Sequence, residues 1–159
     1  MKFPRERGQH GAFWLQRSGV APVPGNPRAS GAEIDIAEFF GKGYPSGGFA
    51  SFVYYLNEDD ENEKVGGLLP EATRDLPPGD AWWRSYHVFS VEWTPKRYVF
   101  RVDGREIGSI GKGVSGVEQF LVLSLLSSDY ELGRINASSL PSTMEVDWVR
   151  VWQRPRQNE

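Results

Sequence analysis

The chain has 159 residues, with 18 Lys or Arg against 21 Asp or Glu for a formal charge of −3, and no cysteine. That length suits one domain of ordinary size and not two full ones, so residues 1–159 are read as a single domain. The charge gives no electrostatic footprint for nucleic acid or an anionic membrane, and the lack of thiols excludes a disulfide scaffold, thiolate catalysis and Cys-ligated zinc.

Eighteen glycines, 11 prolines and 13% aromatic residues point to many short strands joined by turns. The N-terminal MKFPRERGQHG is basic but has no apolar stretch of signal-peptide type. No apolar run approaches the roughly 20 residues of a membrane span. Ala12–Gln16 (AFWLQ) reads as a short strand, and Ser18–Gly31 as a loop. Glu33–Phe40 (EIDIAEFF) opens with strict alternation, and Phe49–Leu56 is aromatic and β-branched, so both read as strands. Asn57–Ala81, with its acidic run NEDDENE, reads as one long loop. Tyr86–Trp93 places His87, Phe89, Val91 and Trp93 on one face. Arg97–Val102 alternates and meets Arg105–Ile110 through Asp103-Gly104, a strong two-residue hairpin signal. Gln119–Leu126 (QFLVLSLL) reads as a strand buried on both faces, and Met144–Trp152 as a closing strand. No window sustains a helical period, so the fold class is all-β: a two-sheet antiparallel sandwich or jelly roll.

Chemistry concentrates in GAEIDIAEFFG, where Glu33, Asp35 and Glu38 lie among Ile34, Ile36, Phe39 and Phe40. Three acids on an apolar strand cost stability through repulsion and desolvation, which signals function. Glu33 and Asp35 share a face, while plain alternation turns Glu38 to the other. A β-bulge near Ile36-Ala37 would add one residue and return Glu38 to the side of Glu33. Two such carboxyls suit a glycosidase, retaining at about 5–5.5 Å separation or inverting at about 6.5–9.5 Å, and spacing alone leaves both open. The alternatives are an edge strand with solvent-facing acids, or a Ca²⁺ site.

The hexapeptide Glu33-Ile34-Asp35-Ile36-Ala37-Glu38 resembles the E-x-D-x-x-E signature of glycoside hydrolase family 16, the laminarinase and β-glucanase group. Its five-residue Glu-to-Glu spacing is similar to that of the bulged branch; lichenases use the spacing shorter by one. GQHGAFWLQ resembles the family's W-P-A-F-W-L strand, YHVFSVEWTPKRYVFRVDGREI its strand pair and V-D-G hairpin, and MEVDWVRVWQ its closing strand. The likeness runs from Ala12 to Gln153. It implies a concanavalin A-like jelly roll and a retaining endo-β-glucan hydrolase acting on β-1,3- or mixed β-1,3-1,4-glucan. Glu33 would be the nucleophile, Glu38 the acid and then the base, and Asp35 the residue that sets the charge of the nucleophile. Trp14 would line the sugar cleft or belong to the core. His87 matches the family's strand histidine, either a structural residue or a sugar contact. Of Trp82 and Trp83, which point opposite ways if extended, at most one would stack on a sugar. Asp147 resembles the closing-strand Asp that binds a structural Ca²⁺ in many members. Catalysis itself is expected to need no cofactor.

Two departures bear on the substrate: His10 stands where the family has a cleft Trp, and Ser124 where it commonly has Asn. Family domains also carry several strands before W-P-A-F-W, so the chain is expected to correspond to the C-terminal part of a domain and to self-associate through exposed sheet edges. The full-length parent is expected to be secreted. The partner implied is a β-linked polysaccharide, with no nucleic acid and no membrane. Two other functions fit the same residues: a carbohydrate-binding sandwich without turnover, and a transglycosylase.

Overall fold

The computed structural model describes residues 1–127 and 129–153. Its strands are β1 (His10–Arg17), β2 (Glu33–Phe39), β3 (Phe49–Leu56), β4 (Asn62–Leu68), β5 (Phe89–Trp93), β6 (Tyr98–Val102), β7 (Arg105–Ile110) and β8 (Gln119–Leu126), with short helices α1 (Pro27–Ser30) and α2 (Pro70–Arg74). They form two antiparallel sheets, β4-β3-β2-β1-β8 and β5-β6-β7, the all-β two-sheet architecture expected.

Aromatic rings fill the space between the sheets. Ile34, Phe39, Phe49 and Val53 come from the larger sheet and Phe89, Tyr98, Phe100 and Val102 from the smaller. Phe3 bridges them, its ring centroid 5.6 Å from Phe39 and 5.2 Å from Phe89. Each fully buried ring contributes about 1.5–3 kcal/mol. The hairpin forms as expected, with Asp103 and Gly104 at φ 50° and 82°, the positive pair a two-residue turn requires.

Three elements depart from expectation. The segment Asn57–Ala81 is not one loop: it contains β4 and α2. Charges and two glycines conceal β4, yet it pairs with β3 from Ala50↔Leu68 to Leu56↔Asn62. Gly66 is required there, because at φ +109° a Cβ would fall 2.3 Å from the Ser51 carbonyl oxygen. β8 is an edge strand, not one covered on both faces: none of its side chains joins the buried core, and Phe120 and Leu126 are about half exposed. Met144–Trp152 does not form a strand either. Glu145 bridges Lys2 through 2.8 and 2.9 Å backbone bonds, and beyond it Val151 and Trp152 stand in solvent, with no described strand beside them to complete a ladder.

Candidate active site

The acidic strand β2 lies at the centre of the five-stranded sheet. Against β3, Asp35 pairs with Phe52 and Glu38 with Ala50, so β2 uses three steps where β3 uses two. Against β1, Asp35 pairs with Trp14 and Ala37 with Phe13. Ile36 is the residue in excess on both sides, and it forms the bulge expected there. Its carbonyl, displaced from the ladder, accepts a 2.8 Å hydrogen bond from Ser51 Oγ. Ile34, Ile36, Ala37 and Phe39 enter the core, while Glu33, Asp35 and Glu38 share the opposite face.

Neighbouring strands furnish that face by register. β1 supplies His10, Trp14 and Gln16, and β3 supplies Phe52 and Tyr54. Gln16 Nε2 donates to Glu33 Oε2 at 3.0 Å. Trp14 Nε1 donates to Ser124 Oγ on β8 at 3.1 Å; its neighbours Phe13 and Leu15 pack on the core, and Trp14 does not. Lys64 on β4 places its ammonium 3.8 Å from the Phe52 ring centroid and 5.4 Å from that of Tyr54. His10 Nε2 lies 3.5 Å from Glu38 Oε1. Beside the carboxyls, Phe40, Tyr44, Phe52, Lys64, Leu68 and Tyr130 line a cavity of about 490 Å³.

The three acids differ in environment. Burial pushes the Asp35 carboxyl up to about 9, helped by the charges of Glu38 and Glu33 and opposed by Lys64. Glu38 is pushed up to about 7, again chiefly by burial, with Lys64 opposing and Glu33 adding. Glu33 is raised by burial, and the Gln16 hydrogen bond draws it back down. Tyr54, beside all three, is raised as well and stays a neutral hydroxyl. Protons in such a cluster belong to the set rather than to single residues. Burial and neighbouring charge thus set apart the proton affinities of three carboxyls that share one face.

The other expected site residues lie elsewhere. Trp82 is 1% exposed, stacked on Phe49 at 4.6 Å with its Nε1 donating to Thr73 Oγ1 at 3.0 Å, so it has no face for a ligand. Trp83 stacks on the core-facing Phe39 at 5.8 Å, so neither tryptophan reaches the cleft. His87 is buried between the sheets, with Nδ1 2.8 Å from Asp103 Oδ2 and its ring 5.1 Å from Trp82; it is a structural histidine. Asp147 is exposed, and no group of three or more His, Asp or Glu side chains able to hold a metal occurs among the described residues.

Gln16, Tyr54 and Lys64 complete the face without having been singled out from sequence. Gln16 follows Trp14 by two residues on one strand, a signal available in the sequence. Lys64 gave no such signal, because it lies on the strand concealed in the acidic segment.

The family model for glycosyl hydrolases family 16 matches residues 1–150. Among curated proteins, the chain is 28% identical to glucan endo-1,3-beta-glucosidase A1 of Niallia circulans, over 96% of this chain and 23% of the relative. It is also 28% identical to a beta-glucanase of Fibrobacter succinogenes, over 100% of this chain and 43% of the relative. The chain thus spans less than half the length of either relative. Among solved structures, LamAcat from Zobellia galactanivorans matches with a TM-score of 0.58 at 18% identity, over 86% of this chain and 55% of that one. A family 16 endo-glucanase from Bacteroides ovatus matches with a TM-score of 0.57 at 15% identity, over 92% of this chain and 61% of that one. These structures share the fold. With the family pattern running from residue 1 to residue 150 and the acidic strand within it, the chain belongs to glycosyl hydrolase family 16.

Proposed function

We propose that the protein hydrolyses an internal β-linkage of a glucan with retention of configuration. The observation that carries this reading is the bulge at Ile36, which gathers Glu33, Asp35 and Glu38 on one face of β2. Of the three, Glu33 has the most stabilised carboxylate, because Gln16 donates to it. It serves as the nucleophile that forms the glycosyl-enzyme bond. Glu38, held near neutrality, is protonated when substrate binds. It gives its proton to the leaving oxygen, and the resulting carboxylate then takes a proton from the attacking water. Asp35 lies between them with its pKa raised, a neutral donor toward the Glu33 carboxylate. Trp14 and the rings of the adjoining cavity offer flat apolar surface to pyranose faces. No metal has a step in this scheme.

The two curated relatives, a glucan endo-1,3-beta-glucosidase and a beta-glucanase, support a β-1,3- or mixed-linkage glucan as substrate. Such a polymer is met outside the cell, and we place the protein there; among the described residues no helix is long and apolar enough to cross a membrane.

The test is a panel of laminarin, barley mixed-linkage glucan, agarose and xylan, with the wild type and Glu33→Gln run in parallel. Reducing ends are expected from the first two substrates, with the β-anomer formed first by NMR and a loss of at least about 10³-fold in the variant. Retention on a glucan column without new reducing ends would favour a binding sandwich, and products longer than the substrate a transglycosylase.

A further inference from the structure

His10 opens β1 on the same face as Trp14 and Gln16 and is 7% exposed. Its ring is held on two sides, 5.2 Å from Phe40 at 34° and 6.3 Å from Tyr130 at 28°. Its Nε2 points at Glu38, 3.5 Å from Oε1. A carboxyl that works first as acid and then as base needs one oxygen free to exchange a proton and the other held, or the group rotates between strokes. We propose that His10 is a positioning residue for Glu38: its Nε2–H donates to Oε1 and leaves Oε2 to exchange the proton. This rests on the reading of Glu38 as the acid/base.

The surroundings suit a neutral ring. Among the described residues, Glu38 from β2 and Glu131 and Tyr130 from the segment after β8 are titratable groups that act on His10. Burial lowers the imidazole pKa and Glu131 opposes this, but Arg7 takes up the Glu131 charge through a bidentate pair. Neutrality matters chemically. An imidazolium beside Glu38 would lower its pKa and leave it ionised at neutral pH, whereas a neutral N–H donor orients the group and leaves it able to stay protonated. The 3.5 Å separation closes to hydrogen-bond length with a shift of a few tenths of an ångström, as catalytic contacts commonly do when substrate binds.

The protons balance without His10 changing state. As the glycosidic C–O bond breaks, the proton on Glu38 Oε2 moves to the leaving oxygen, and Nε2–H then faces a carboxylate. As water bonds to the anomeric carbon, its proton passes to Oε2. His10 neither gains nor loses a proton in either half.

The chain has only two histidines, His10 and His87, which makes a direct test simple. With ¹⁵N-histidine in the full chain, the His10 ring nitrogens are expected to show a titration step that disappears in Glu38→Gln, while the His87 signals stay unchanged. Identical His10 curves in the wild type and in Glu38→Gln would overturn the proposal. In glucan hydrolysis, His10→Phe is expected to lower kcat about 10- to 100-fold with KM within about 3-fold. The alkaline limb of its pH profile moves upward, because a lost donor destabilises the carboxylate form of Glu38. His10→Gln, whose amide N–H replaces the donor, recovers most of the rate. Equal losses in both variants with an unmoved limb would count against the donor role. If Glu33→Gln matches the wild type, the hydrolase reading fails, and the nitrogen titration still decides whether His10 holds Glu38.

Discussion

Ser51 Oγ donates a 2.8 Å hydrogen bond to the carbonyl oxygen of Ile36, the one residue that β2 holds in excess of both its neighbours. The hydroxyl occupies the place of the ladder partner that the bulge removes. Ser51→Ala leaves that carbonyl buried and unpaired, which costs about 1–3 kcal/mol. A domain of this size should lose about 2–4 °C in Tm per kcal/mol. Because Glu38 lies just beyond the bulge, kcat is expected to fall as well. A lower Tm with kcat unchanged would show that the bulge is held without Ser51.

The carboxyl cluster makes stability depend on pH. Asp35 and Glu38 have folded-state pKa values raised to about 9 and about 7, so folding takes up protons. Their contribution is fully present below the ordinary carboxylate range and is lost as pH rises through about 7 and then about 9. Glu131, lowered by Arg7, acts in the opposite sense, and only at acid pH. Thermal melts are expected to show Tm falling from pH 5 to pH 9. Asp35→Asn should flatten the upper part of that decline and raise Tm at pH 8. A flat or rising Tm across the range would contradict the protonation assigned here.

Lys64 is the cation that favours the ionised forms of both Asp35 and Glu38. Lys64→Met removes that charge, so the Glu38 pKa rises and the alkaline limb of kcat moves to higher pH. The expected cost at pH 6 is small. Profiles that superimpose would mean that solvent already screens the ammonium.

Trp14 and Trp82 separate binding from folding. Trp82→Ala empties a space between the sheets and should cost about 3–5 kcal/mol, read by denaturant unfolding. Trp14→Ala should change stability by less than about 1 kcal/mol and lower kcat/KM up to about 10-fold, the size of one stacking contact. Reversed effects would exchange the two assignments.

The acidic strand β2 is the most legible part of the chain, because two constraints meet on it. Ile34 and Phe39 must face the core, Glu33 and Glu38 must not, and only one extra residue between them satisfies both. The Asp103-Gly104 hairpin is legible for a similar local reason, since few residue pairs accept two positive φ values. What sequence conceals is cover. The apolar run of β8 reads as buried, yet how much of it a second sheet overlies depends on where that sheet ends. His87 and Trp82 share this ambiguity: an aromatic or imidazole ring suits a core as well as a cleft, and only packing assigns them. β4 is hidden by its charges, which an edge strand tolerates on its exposed positions.

The bulge also bears on how such a site can change its length by mutation. Loss of the single codon for Ile36 would leave Glu33, Asp35 and Glu38 at alternate positions of an unbroken strand, all still facing the cleft. Asp35 would keep Trp14 and Phe52 as partners, Ala37 would keep Phe13, and Glu38 would keep Ala12 and Ala50. Loss of Ile34 instead would make Glu33 and Asp35 neighbours and turn one of them into the core. At Ile36 the gene can gain or lose a codon without any intermediate in which the acid points inward, so the two carboxylate spacings are one mutational step apart.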